Sequence, residues 1–301
     1  MLKLRIISAI VMITVFLLCF FVLPPIYFSV FIFLISLIMI YELFNLLRDI
    51  WFIRDFDQYE RKRLILGNTQ KKLYLLFSIL GLIFVFAENN IYTEGSVIFF
   101  IYIGILFWTY NLYYLLKGES LKSLYKNKES IFPFFPIDSI YLPSLFAVFH
   151  ILPMISAIIF LFSASKTYLF FVFLIIWIAD IGAYFTGKSF GKVQIAKNIS
   201  PGKTAEGVMG GICLNVTFIL IISLIFSDFD LIGGIIFAII ITLLSVYGDL
   251  YESWLKRSAG LKDSSNFIPG HGGFLDRFDS FLPSLPVAAL LYYYNLINFT
   301  I

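Results

Sequence analysis

The chain has 301 residues, of which 60% are hydrophobic, 19% aromatic and only 14% charged. Soluble proteins carry roughly a quarter charged residues, and a mean hydropathy of +0.93 leaves no room for a large water-soluble domain. The net charge of +3 is too small to imply nucleic acid, and Cys19 and Cys213, both inside apolar runs, offer no disulfide framework or CxxC metal knuckle. An all-α, polytopic integral membrane protein is expected.

A spanning helix needs about 20 mostly apolar residues. The first such run, 6–23, follows Lys3 and Arg5 and imitates a secretory leader. Pro24-Pro25-Ile26-Tyr27 stands where a small-residue cleavage site would be, so a retained helix is expected. The second run, 27–47, carries Glu42 near its inner end, where the carboxylate is expected simply to reach the headgroup region. A short third run at 73–88 and a fourth at 96–116 complete an N-terminal unit, 1–140, with basic loops at 48–72 and 117–141. Those loops read as positive surfaces lying on anionic headgroups. Five more runs, 142–163, 168–187, 207–226, 231–250 and 282–297, make a C-terminal unit, 141–301; the last carries Pro283 and Pro286.

The basic residues test this count of about nine helices, because Lys and Arg gather on the cytoplasmic side. Alternating the loops puts 21 of the 22 basic residues on one side, together with the N-terminus. The other side holds only Lys166, alongside Glu88, Glu94, Asp228 and Asp230. The N-terminus is therefore expected in the cytoplasm and the C-terminus outside.

Ionisable groups at membrane depth are costly, and each is a functional candidate. Asp180 lies well inside a span, after Ile175-Ile176-Trp177-Ile178-Ala179. Asp249 closes the run Ile239 to Leu250 and opens onto the loop 251–281. That loop contains Ser253-Trp254-Leu255-Lys256-Arg257, then Lys262-Asp263, then Ile268-Pro269-Gly270-His271-Gly272-Gly273 and Asp276-Arg277-Phe278-Asp279. Asp276 and Asp279, three apart, are expected on one face at the start of the ninth helix, where the dipole also favours Asp. With Asp249 they form a hard-oxygen cluster suited to Mg²⁺ and substrate phosphates. Gly270, Gly272 and Gly273 let backbone amides approach a ligand, and Lys256, Arg257, Lys262 and Arg277 supply the cationic side of a phosphate site. In the loop 188–206, Ser200, Lys203 and Thr204 precede a helix start, which reads either as a cap or as an anion site.

Gly182 to Ser189 satisfies the P-loop pattern GxxxxGK[ST] letter for letter. That motif works only between a buried strand and a helix. Here it ends an apolar run, so a P-loop nucleotidase is rejected.

The run Ser253 to Asp279 resembles the signature of phosphatidate cytidylyltransferases, also called CDP-diacylglycerol synthases, in residue type and spacing. Trp177 to Tyr184, Ser200 to Thr204 with Glu206-Gly207, and Gly248 to Ser253 are similar to the same family; Ala205 stands where it commonly has tryptophan. Specific resemblance spans roughly 175–285. It implies a homodimeric enzyme of the cell (inner or plasma) membrane, its site facing the cytoplasm, that makes CDP-diacylglycerol and pyrophosphate from phosphatidate and CTP. It further implies Mg²⁺ dependence, a second cation (K⁺), and Asp249 and Asp276 as metal ligands, with Asp279 beside them. Asp180, Ser200, Lys203, Thr204, Lys262, Gly272 and Gly273 would meet substrate, and Lys256, Arg257, Arg277 and His271 would serve the reaction. The competing readings are a CTP-dependent lipid kinase of the polyprenol or diacylglycerol type, and a secondary transporter. Buried Asp180 favours transport; the lack of inverted repeats counts against it.

Overall fold

A computed structural model describes residues 2–52, 94–117, 142–227 and 229–296, with Leu76 and Leu80 between the first two stretches. Nearly all of the run at 73–88, the loop residues 53–72 and 118–141, and Asp228 lie outside the described residues. The described chain is mostly helical: α1 (Leu2–Val22), α2 (Pro25–Phe52), α3 (Glu94–Lys117), α4 (Leu142–Ala164), α5 (Lys166–Phe190), α6 (Ala205–Ile225), α7 (Leu231–Ser258), the single turn α8 (Leu275–Phe278) and α9 (Phe281–Tyr293). Four of these contain segments long and apolar enough to cross a membrane: Pro25–Leu47, Lys166–Phe190, Ala205–Ile225 and Leu231–Ser258. Shorter apolar helices cover Ile7–Val22, Ile98–Tyr113 and Phe149–Ala164.

The helix ends follow local chemistry. Ser165 opens α5 by accepting from the Tyr168 N–H at 3.2 Å, and Asp230 opens α7 by accepting from Gly233 at 3.0 Å. At the far end of α7, Gly260 takes a left-handed φ of 75°. This lets Leu261 N–H reach back to the Lys256 carbonyl at 2.9 Å and Gly260 N–H to that of Arg257 at 3.0 Å, the paired bonds of a Schellman ending.

Two expectations change. The loop drawn at 251–281 begins only after Ser258, because α7 continues for two more turns and carries Ser253, Lys256 and Arg257 on a helix. The all-α expectation also gives way locally, since β1 (Gln194–Ala196) and β2 (Ser200–Thr204) form a two-stranded antiparallel hairpin. Pro201 and Gly202 disfavour helix there, and Ala205 N–H closes the pair onto the Val193 carbonyl at 2.8 Å.

The P-loop lookalike lies wholly within helix α5, as its apolar lead-in required. Its first glycine has a packing role: a Cβ on Gly182 would stand 2.9 Å from the Gly210 carbonyl of α6. A Cβ on Gly207 or Gly211 would crowd the Ala183 and Ala179 carbonyls as closely, at 2.9 and 2.8 Å. Small residues let two membrane helices meet backbone to backbone. Elsewhere α6 exposes Met209, Leu214, Leu220, Ile221, Leu224 and Ile225. Within the bundle, Asn215 of α6 donates to the Ile175 carbonyl at 3.0 Å and to Thr242 of α7 at 2.8 Å, tying the three helices together at depth.

Candidate active site

One pocket of about 430 Å³ opens where α5, β2, α6, α7 and α8 meet. Asp180 and Tyr184 line it from α5, Gly202, Lys203 and Thr204 from the hairpin, and Asp249 and Lys256 from α7. Asp263, Asp276, Arg277, Asp279 and Ser280 come from the segment beyond. The volume suits a small-molecule ligand.

The charges are unevenly matched. Five aspartates line the pocket against two lysines and one arginine. Lys203 reaches from β2 to pair with Asp249, whose other oxygen accepts from Ser253 Oγ at 3.3 Å. Lys256 sits between Asp276 Oδ1 and Glu252 Oε2, each at 2.5 Å. Asp276 Oδ2 accepts three further bonds, from Ser264 N–H and Oγ at 2.9 Å each and from Gly273 N–H at 2.8 Å. Burial raises the Asp276 pKa, but Lys256 and the two backbone amides outweigh it and hold the carboxyl below its ordinary range. Asp279 behaves oppositely. Burial first, and then the charge of Asp249, push it up to about 7 against the pull of Lys256 and Lys203. Asp180 accepts from Ser245 Oγ of α7 at 3.4 Å and is open to the pocket.

Asp276 and Asp279 do not share a continuous ninth helix. Asp276 lies on the one-turn helix α8, and Asp279 follows it, bonded to Ser280 N–H at 2.7 Å before α9 begins. The break sends Asp276 toward Lys256 and the loop, while Asp279 feels Asp249 and Asp180.

Other expected site residues point elsewhere. Arg257 is exposed and holds the Ile199 carbonyl at 3.3 Å and the Leu261 carbonyl at 2.9 Å, bracing the hairpin against the end of α7. Ile268-Pro269-Gly270-His271 forms a turn closed by His271 N–H to the Ile268 carbonyl at 2.9 Å, with Gly270 at φ 80°. Proline second and a positive-φ glycine third are the marks of a type II turn. The turn carries His271 to α1, where its Nδ1 lies 2.8 Å from Ser8 Oγ, outside the pocket lining. Lys262 is exposed, and Ser200, Gly272 and Gly273 are not among the residues lining the pocket. Thr204 lines the pocket, but its hydroxyl caps α6 by accepting from Gly207 N–H at 3.1 Å.

The residue that sequence reasoning undervalued is Glu42. It does not reach toward headgroups: it is 1% exposed, and four groups of the loop 264–275 donate to it. The available signal was a carboxylate within an apolar helix.

The carboxylates fit a hard cation by their chemistry. Asp249 and Asp276 each hold an ammonium, so both are disposed toward positive charge. A lining with more aspartates than basic groups also suits a polyanion only with cations present. Among the described residues no group of three or more His, Cys, Asp or Glu is already gathered as a metal cage. An ion at Asp276 would have to replace a present partner.

Comparison with known proteins finds similarity along nearly the whole sequence. Residues 3–295 match the cytidylyltransferase family. A phosphatidate cytidylyltransferase of Haemophilus influenzae is 32% identical over 316 residues, covering 98% of this chain and all of that protein. Those of Bacillus subtilis and Pseudomonas aeruginosa are 49% and 44% identical over 40% of this chain and 45% of their own lengths. Since the match runs from α1 to α9 and takes in every wall of the pocket, the chain belongs to the cytidylyltransferase family.

Proposed function

We propose that this chain makes CDP-diacylglycerol and pyrophosphate from CTP and phosphatidate. The observation that carries the assignment is the meeting of Lys203, Arg277 and Lys256 with Asp249, Asp276 and Asp279 in one pocket of a helical membrane protein. The full-length similarity to a phosphatidate cytidylyltransferase supports the same reaction. In that reaction a phosphate oxygen of phosphatidate bonds to the α-phosphorus of CTP, and the bond to the leaving pyrophosphate breaks. Both reactants are anions, so the protein's task is to align them and neutralise charge. Lys203 and Arg277 would clamp phosphate oxygens. The lipid phosphate is already ionised near neutral pH, so no general base is needed, in keeping with His271 lying against Ser8.

Asp249, Asp276 and Asp279 would hold Mg²⁺, with K⁺ as the second cation the family resemblance implies. Bound there, the cations would screen the repulsion between the two substrates and stabilise pyrophosphate. The 21 basic residues on one side of the nine-helix scheme support a cytoplasmic N-terminus and a pocket open to cytosolic CTP in the cell membrane. A homodimer follows from the family resemblance.

Purified protein given CTP, phosphatidate and Mg²⁺ should release pyrophosphate and form CDP-diacylglycerol. Release of CDP with a phosphorylated lipid would instead establish a CTP-dependent lipid kinase. Neither product would leave transport as the remaining reading.

A further inference from the structure

Glu42 is filled from the signature loop in a symmetric pattern. Oε1 accepts from Ser265 Oγ at 2.6 Å and from Phe274 N–H at 3.1 Å. Oε2 accepts from Ser264 Oγ at 3.1 Å and from Leu275 N–H at 2.8 Å. Each oxygen thus takes one hydroxyl and one backbone amide. An ionised carboxylate has only acceptor sites and suits these donors, with the single Ser264 Oγ proton shared between Glu42 and Asp276. A glutamine in its place would aim an NH₂ at a backbone N–H that cannot turn away.

The bonded groups lie on both arms of the loop, and both arms also hold Asp276. Ser264 Oγ is 2.9 Å from Asp276 Oδ2 as well as 3.1 Å from Glu42 Oε2, so one hydroxyl stands between the two carboxylates. Gly273 donates its N–H to Asp276, and a Cβ there would lie 2.5 and 2.6 Å from the Glu42 oxygens. Phe274 and Leu275, which donate to Glu42, immediately precede Asp276 and Arg277 in the chain. Glu42 itself is absent from the pocket lining.

From this we infer that Glu42 is a positioning residue: helix α2, through Glu42, fixes the loop 264–275 and thereby the placement of Asp276 and Arg277 in the pocket. The inference rests on the reaction assigned above only for its catalytic readout. Misplacing a reacting group by about 1 Å can cost about 10²-fold in rate, so a residue that touches no substrate can still control turnover.

The experiment uses the full chain in lipid nanodiscs, as wild type and as Glu42→Gln, Glu42→Asp and Ser265→Ala. Backbone hydrogen exchange and steady-state kinetics are followed together. Glu42→Gln should speed exchange across 264–275 by about tenfold or more while α5 and α6 keep wild-type protection, since local opening is separable from global unfolding. Its kcat should fall about 10²-fold with KM for CTP within about threefold, because alignment rather than ground-state binding is lost. Glu42→Asp, which keeps the charge on a shorter arm, should recover part of both losses, and Ser265→Ala should show a several-fold version of each. Wild-type exchange in the loop of Glu42→Gln, or faster exchange spread evenly over every helix, would overturn the inference. If Glu42→Gln does not accumulate as folded protein, Ser265→Ala decides: local loosening with reduced kcat supports the role, and no change in either refutes it. A wild-type protein that releases no pyrophosphate would defeat the assigned reaction, while the exchange comparison would still judge the coupling of α2 to the loop.

Discussion

The hairpin at 191–204 and the signature loop at 259–274 border the same pocket but are held differently. The hairpin is largely exposed and rests on peripheral bonds: Glu206 accepts from Lys192 N–H at 3.0 Å and Val193 N–H at 3.2 Å, and Arg257 braces Ile199. It delivers one ammonium, Lys203, to the pocket. The signature loop is stitched from inside by two buried carboxylates, Glu42 and Asp276, both bonded to Ser264. Buried polar networks are costly when broken, whereas exposed pairs contribute little. The hairpin is therefore a carrier of charge, and the loop a fixed frame whose chemistry and stability are the same bonds.

The largest expected effects separate two aspartates that look equivalent in sequence. Asp249→Asn and Asp276→Asn should each lower CDP-diacylglycerol synthesis by about 10³-fold or more, and the double variant should be no worse, as groups acting in one unit are not additive. Only Asp276→Asn should also speed exchange of the Ser264 and Gly273 amides, because only Asp276 accepts from them. Equal exchange in both variants would erase the distinction between frame and carrier.

The lysines give the next contrast. Lys256→Ala leaves Glu252 and Asp276 buried without their shared ammonium, which should cost about 3–5 kcal/mol in unfolding measurements. Lys203→Ala should cost about 10²-fold in turnover, the scale of one preorganised charge-stabilising group, with thermal midpoint unchanged. Between the arginines, Arg277→Ala should lose about 10²-fold in turnover and Arg257→Ala less than about tenfold, since only Arg277 lines the pocket. The smallest effect is expected at Gly202. A Cβ on Gly202 meets nothing within 4 Å, so Gly202→Ala should keep turnover within about twofold, whereas Gly273→Ala, which drives a methyl into Ser264 and Glu42, should release the loop.

Much of the pocket was legible because its residues cluster in the chain and their chemistry is specific. Asp249, Asp276, Asp279 and Arg277 lie within one stretch and do meet, and Lys203 joins them from the other polar loop. Facing was less legible. His271 lies between glycines in the motif, but the type II turn at 268–271 aims it at Ser8 on α1. Arg257 follows Lys256 directly, yet a step of one residue on a helix turns a side chain about 100°, from the pocket to the hairpin backbone. The extension of α7 to Ser258 was hidden because Glu252, Ser253, Lys256 and Arg257 interrupt the apolar run and read as loop. Glu42 reads as reaching the headgroups because its partners come 222 to 233 residues later, beyond the reach of local patterns.

That separation also bears on how the molecule is assembled. The first helices leave the ribosome long before residues 264–275 exist, and closing so long a chain segment is slow relative to local contacts. The pocket is thus completed only when residues 222 to 233 positions further along return to Glu42 on α2. Residues 175–285, the stretch of most specific resemblance, lack the carboxylate on which their own loop closes.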